Sequence, residues 1–215
     1  MLNEFALPYE NMPSLRKPEG NLAILYDQLT SPKKAVQALS ERRPYGLAFF
    51  VIALSVLSRV TAGLIAPSSA GTFGGASLFI LLCAGQLIIT LVFAVFAASV
   101  YHFAATNEFK LGDARVLFLL IAVCLLPDIF LAPVAILTNA LSAGAGIAVF
   151  AAVGFGLWIW VCVLQIIAVK NYYEVSTGRS LLAVSLPFIL AAVLGLGIFF
   201  VVFTYIMISM KNLFG

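Results

Sequence analysis

Apart from Arg115 at the very start of one run, three charge-bearing side chains fall inside the long apolar runs of this chain, Arg59, His102 and Asp128, and the amides of Gln86 and Gln165 share those surroundings. A charge in hydrocarbon costs roughly 2.5–3.5 kcal/mol, so such residues pair with one another or face a cavity. Spacing suggests the partners. Arg59 stands thirteen residues beyond Gly46 and Asp128 fourteen beyond Ala114, the starts of two apolar runs. At 1.5 Å rise per residue, each lies about 20 Å along its helix. If both helices run the same way, the two charges share one level, and Gln86 reaches a similar depth from the opposite side. One arrangement is an Arg59–Asp128 ion pair, direct or through water, with Gln86 nearby. In the other, Arg59 snorkels to an interface about 10 Å away, and Asp128 caps backbone freed by the prolines beside it.

Other kinds of chemistry are poorly provided for. With one histidine there is no HExxH zinc site, and the acids do not cluster into the paired carboxylates that hold Mg²⁺ and phosphate. The glycine-rich GTFGGA at 71–76 lacks the lysine and the strand–turn–helix context of a phosphate-binding loop. His102, near Tyr101 and Glu108, reads as a structural interfacial histidine. Cys83, Cys124 and Cys162 are odd in number, each inside an apolar run, and read as small buried apolar residues. No catalytic residue, metal or cofactor is expected.

The elements that must position these groups are helices in a membrane. Hydrophobic residues make up 63% of the 215 residues and charged ones 10%, with a mean hydropathy of +1.10. A soluble domain carries about 25% charged residues. Five runs exceed the ~20 residues needed to cross the hydrocarbon core: 46–66, 76–103, 114–137, 145–169 and 181–209. Their length excludes the roughly ten-residue alternating strands of a β-barrel. The fold class expected is all-α: a polytopic membrane protein with a bundle of five transmembrane helices. The third run contains Pro127, Asp128 and Pro133 in LLPDIFLAP, which predicts a kink or break near mid-membrane. Gly144/Gly146, Gly154/Gly156 and Gly195/Gly197 predict packing seams on the fourth and fifth spans.

Basic residues set the expected orientation. Arg16, Lys17, Lys33, Lys34, Arg42 and Arg43 precede the first span; Lys110 and Arg115 flank the second break, and Lys170 and Arg179 the fourth. The breaks at 67–75 and 138–144 carry no charge. The positive-inside rule then gives a cytoplasmic N-terminus and an external C-terminus, in the inner or plasma membrane. No cleavable signal peptide is visible in the first twenty residues.

Residues 1–20 read as a cytoplasmic tail and 210–215 as an external one. Between the tail and the first span, residues 21–45 read as an amphipathic interfacial region. Leu22, Leu25, Tyr26 and Leu29 share one helical face; Ser31 and Pro32 open a second helix with Ala35, Val36 and Leu39 on its face. Lys33, Lys34, Arg42 and Arg43 surround that face and are candidate contacts for anionic lipid headgroups in the plane of the interface.

Several segments together resemble the YIP domain family of five-span membrane proteins, named for interaction with Ypt/Rab GTPases. LYDQLTSPKKAVQALSERRPY resembles the entry segment of its bacterial branch, through Ser31, Pro32, Ala35, Val36 and Leu39. Gly112 to Pro127 is similar to the family's third span. Residues 158–184 resemble its fourth-span motif at Trp160, Leu164, Ile166, Ala168, Val169, Tyr173, Ser176, Arg179 and Ser180. The DLYGP signature of the eukaryotic members is missing. The resemblance implies a five-span architecture and a non-enzymatic role in membrane organisation, scaffolding or a trafficking-like process. Expected partners are membrane lipids, other proteins or a second copy of the chain, and no nucleic acid. The competing reading is a small transporter or permeation module using Asp128 in the broken third span.

Overall fold

The computed structural model describes residues 20–66, 75–105 and 112–214. The tail expected over residues 1–19, most of the GTFGGA turn, Lys110 and Glu108 lie outside the described residues. The described elements are α1 (Asn21–Thr30), α2 (Pro32–Arg42), α3 (Tyr45–Ile65), α4 (Gly75–Ala105), α5 (Ala114–Cys124), a 3₁₀ turn (Leu126–Phe130), α6 (Leu131–Asn139), α7 (Ala143–Tyr173) and α8 (Thr177–Phe214). Five spans are long and apolar enough to cross a membrane: Tyr45–Ile65, Ala76–Ala105, Ala114–Asn139, Gly144–Tyr173 and Thr177–Met207. The fold is the all-α five-span bundle that composition implied.

The third span is its axis. Two-thirds of its most apolar window (67%) is buried, against 6% for the fifth. α3, α4 and α7 pack around α5, whose Val116, Leu117 and Leu119 to Cys124 are all buried. Since lipid tails are as apolar as leucine, such a bundle is held by close packing and polar ties rather than by expulsion of apolar surface from water.

The break in this span falls where the prolines require it. α5 ends at Cys124, the 3₁₀ turn carries Pro127 and Asp128, and α6 starts at Leu131. Pro133 has no N–H to offer the carbonyl of Ile129, four residues earlier. Ser58 of α3 fills that gap: its hydroxyl donates to the Ile129 carbonyl at 2.9 Å and accepts from the Ala132 N–H at 2.9 Å. The freed backbone is therefore capped by Ser58, and Asp128 is left for another partner.

α1 and α2 form a hairpin packed against α5 and α7. Ala35, Val36 and Leu39 are buried in it, and Ser31 precedes Pro32 at the first helical position. The buried face of α1 differs from the one its apolar spacing marks. Ile24 and Gln28 point inward, whereas Leu22 and Tyr26 are 82% and 67% exposed. The Ala35, Val36 and Leu39 face of α2 is thus taken up by the bundle, while Leu22 and Tyr26 of α1 stay exposed.

Two helices run beyond the ends that charge suggested. α7 continues past Lys170 to Tyr173 and stops at Glu174, whose φ of 54° is left-handed. Lys170 Nζ bonds Thr177 Oγ1 at 2.7 Å across the short connection. α8 continues through residues 210–214, expected as a tail, because no glycine or proline interrupts them. Of the paired glycines, Gly146 is buried, but five of the six make no close approach within this chain. A Cβ at Gly144, Gly156, Gly195 or Gly197 would meet nothing within 4 Å, and one at Gly154 would meet Leu131 at an ordinary 3.8 Å.

The bundle is tight at the end carrying α1 and α2 and splayed at the other. From Phe188 to Met207 every α8 residue is exposed, and the first halves of α4 and α7 are largely exposed as well. Between the two regimes lies a fork.

Candidate intramembrane polar site

The fork encloses a cavity of about 410 Å³. α3 supplies Arg59, α4 supplies Gln86, Thr90 and Phe93, the 3₁₀ turn supplies Asp128, and α7 supplies Trp158, Cys162 and Gln165; Phe188 of α8 completes the wall. The contributions follow helical spacing: 86, 90 and 93 form one stripe of α4, and 158, 162 and 165 one stripe of α7.

Arg59 Nη2 and Asp128 Oδ2 form an ion pair. The Asp128 side chain is 8% exposed and the Arg59 side chain 30% exposed, so the cation lies on the more open side of the pair. The two charges neutralise each other where each alone would be costly, and the spans they sit on run in parallel. At the far end of the same spans, Asn139 Nδ2 donates to the Ile65 carbonyl at 2.7 Å. At the near end, Arg43 Nη1 meets Asp113 Oδ2 at 3.1 Å.

The other polar groups of the cavity are less committed. Gln86 lies on the wall but makes no hydrogen bond to a described residue. Gln165 accepts from Tyr101 Oη at 3.0 Å through its Oε1, which leaves its amide nitrogen for the cavity. Thr90 is 6% exposed, and its hydroxyl has no hydrogen-bond partner. A mid-helix threonine ordinarily bonds the carbonyl four residues back. Thr138 and Thr204 do so here, at 2.9 Å and 2.7 Å.

The rim is aromatic and faces lipid. Phe93, Trp158 and Phe188 are 40%, 49% and 37% exposed, with Phe188 centred 6.1 Å from each of the other two rings. The cavity thus opens sideways between α4, α7 and α8.

A second polar cluster lies where the tight end closes. Asp113 caps α5 by accepting from the Arg115 N–H at 2.9 Å, and its own N–H donates to Tyr172 Oη at 2.9 Å. His102 Nδ1 and Tyr173 Oη are 2.6 Å apart, a tie between α4 and α7. Gly112 lies so close to the Tyr173 ring that a Cβ could not be added without displacing it. Lys33, Lys34, Arg42 and Arg43 are all exposed on the hairpin, Arg43 being the one tied to Asp113. Among the described residues, no three His, Cys, Asp or Glu side chains gather as metal ligands.

A protein-family model, the Yip1 domain, matches residues 26–207. The chain belongs to the Yip1 domain family. No curated protein and no solved structure matches it. With five apolar spans as well, this Yip1 domain is an integral, multi-pass membrane protein. The match begins inside α1 and so includes α2, in keeping with a hairpin packed on the bundle and not appended to it.

The structure brings together Arg59, Asp128 and Gln86, and places Lys33, Lys34, Arg42 and Arg43 apart from them at the tight end. Three polar residues escaped sequence reasoning. For Ser58, subtracting four from Pro133 names the orphaned carbonyl but not the side chain that reaches it. Thr90 stands four residues beyond Gln86, on the same face, which is a usable signal. Gln28 is the third: it donates to Cys124 Sγ at 3.4 Å, with Oε1 buried and unpartnered, and nothing in its local pattern marks it as inward-facing.

Proposed function

We propose that this Yip1 domain is a non-enzymatic membrane organiser of the cell membrane, its N-terminus cytoplasmic and its C-terminus external. It presents a basic collar to the headgroups of the inner leaflet. One observation carries the reading: α2 buries Ala35, Val36 and Leu39 in the bundle while Lys33, Lys34 and Arg42 remain exposed around it. A collar held by packing keeps its charges at a fixed position relative to the spans. Each base near an anionic surface contributes about 1 kcal/mol. The positive-inside rule assigns this end to the cytoplasm.

The test is lipid retention. Wild type and a Lys33→Gln/Lys34→Gln variant are reconstituted in mixed phosphatidylglycerol–phosphatidylcholine nanodiscs, and co-purifying lipid is counted by native mass spectrometry. Two lost charges are expected to lower anionic enrichment by roughly tenfold or more. Equal enrichment in the two proteins would refute the collar.

The cavity supports a second reading, a permeation or transport site at Asp128. It requires water to reach the cavity. Thr90→Cys in a background without the three native cysteines then has to react with a membrane-impermeant thiol reagent, and protection removes this reading.

A further inference from the structure

We infer that the cavity between α4, α7 and α8 binds the polar head of a neutral amphiphile drawn from the membrane, of the acylglycerol or long-chain alcohol class. The inference is independent of the basic collar and of any permeation pathway.

The size is right for a ligand. About 410 Å³ lies within the ~300–1,000 Å³ typical of small-molecule sites. The entrance indicates the source, because Phe93, Trp158 and Phe188 at its rim are exposed on the lipid-facing side of the bundle. A molecule already in the bilayer reaches the site laterally, leaving its chain among these rings.

The polar lining indicates the head. Arg59 and Asp128 cancel each other, so the wall offers no uncompensated charge for an ionic head to neutralise. What remains is hydrogen-bonding capacity of both signs. Thr90 is 94% buried by its 6% exposure, with an unpartnered hydroxyl that has not taken the usual bond to its own helix. Leaving such a group unsatisfied in a low-dielectric interior is unfavourable, and a ligand hydroxyl or ester oxygen would satisfy it. Gln86, one turn away on the same stripe, adds an amide without a described partner. A head bearing a hydroxyl can give and accept at once, as these two side chains require.

The site carries its own reporter. The chain has two tryptophans, Trp158 and Trp160, and only Trp158 lines the cavity. In a Trp160→Phe protein in phosphatidylcholine nanodiscs, bromine on the acyl chain of a monoacylglycerol quenches Trp158 on close approach. The expected result is saturable quenching by the brominated monoacylglycerol, with a half-maximal mole fraction at least about tenfold below that of brominated phosphatidylcholine. Adding Gln86→Leu and Thr90→Val removes two hydrogen-bonding groups and is expected to raise that mole fraction roughly tenfold. The helix content and monodispersity of the variant are checked alongside, and Thr90→Ser, which keeps the hydroxyl, is expected to bind as wild type does. Linear quenching equal to that by brominated phosphatidylcholine overturns the proposal. So does saturation that survives the double substitution in a folded variant. Preferential saturation by the brominated fatty acid anion would overturn the neutral class of ligand.

Discussion

Replacing Asp128 with asparagine keeps the shape of the 3₁₀ turn but strips Arg59 of its counter-charge. Removing one member of a buried ion pair costs about 3–5 kcal/mol when the remaining charge has nowhere to go. Arg59 does have somewhere to go: its side chain is 30% exposed, and six residues separate it from the end of α3 at Ile65, about 9 Å of helix. Snorkelling therefore relieves part of the penalty, and Asp128→Asn is expected to destabilise by about 2 kcal/mol. The converse change is worse. Arg59→Gln strands a carboxylate on a short side chain that is 8% exposed and cannot reach an interface, so about 3 kcal/mol is expected.

The double variant Arg59→Gln/Asp128→Asn carries neither charge and is expected to lose only about 1–2 kcal/mol, since two amides can still bond. The coupling energy is then about 3–4 kcal/mol. It can be read from reversible unfolding in mixed micelles of increasing denaturing-detergent fraction, followed by far-ultraviolet circular dichroism. Independent sites add to within about 0.5 kcal/mol. A coupling below that value would mean that the pair does not hold α3 to the third span. An Asp128→Asn variant worse than Arg59→Gln would refute the snorkelling argument specifically.

Two other substitutions address the ties around the pair. Ser58→Ala orphans the Ile129 carbonyl and the Ala132 N–H together and is expected to cost about 2–3 kcal/mol, whereas Ser55→Ala, which loses only a bond to Ile52 within its own helix, costs under about 1 kcal/mol; the same unfolding assay separates them. Gly112→Ala drives a methyl into the Tyr173 ring, so both tyrosine ties at that end loosen, and amide exchange at the start of α5 is expected to accelerate while that of α6 stays unchanged.

Depth arithmetic offered Arg59 as a partner for Asp128 because α3 is regular to Arg59 and α5 is regular to Cys124, so the 3₁₀ turn that follows shifts Asp128 by only a few residues' worth of rise. The break itself was legible from two prolines. What closed the break was not, since a serine on another span looks like any small residue until the orphaned carbonyl is traced to it. α1 shows a deeper limit. Apolar spacing identifies a buried face only when the alternative is water. On a membrane protein the alternative can be lipid, and Leu22 and Tyr26 point outward while Gln28 points in towards Cys124. Gly144, Gly156, Gly195 and Gly197 depart from the expected seams for a related reason: small residues permit close approach, but whether a neighbour takes it up depends on a splay that the local pattern does not encode.

The break and the cavity are connected. α5 packs on α4, but α6, beyond the break, packs on α3 and α7. The 3₁₀ turn thus diverts the third span away from α4 at the level of Gln86 and Thr90. A straight helix would have carried leucine and alanine side chains along that stripe and left no room beside it. Diversion leaves α4 without its central partner, so α4 and α7 stand apart with α8 packed on both, and the space between them opens to the side. The same turn fixes Asp128 at the corner of that space, where Arg59 holds it, and Ser58, one residue before Arg59, stitches the backbone that the turn undid. Two adjacent residues of α3 therefore support both the broken helix and the charge it exposes. The polar cavity is a product of the third span's geometry, so substitutions that straighten that span should close the cavity before they unfold the bundle.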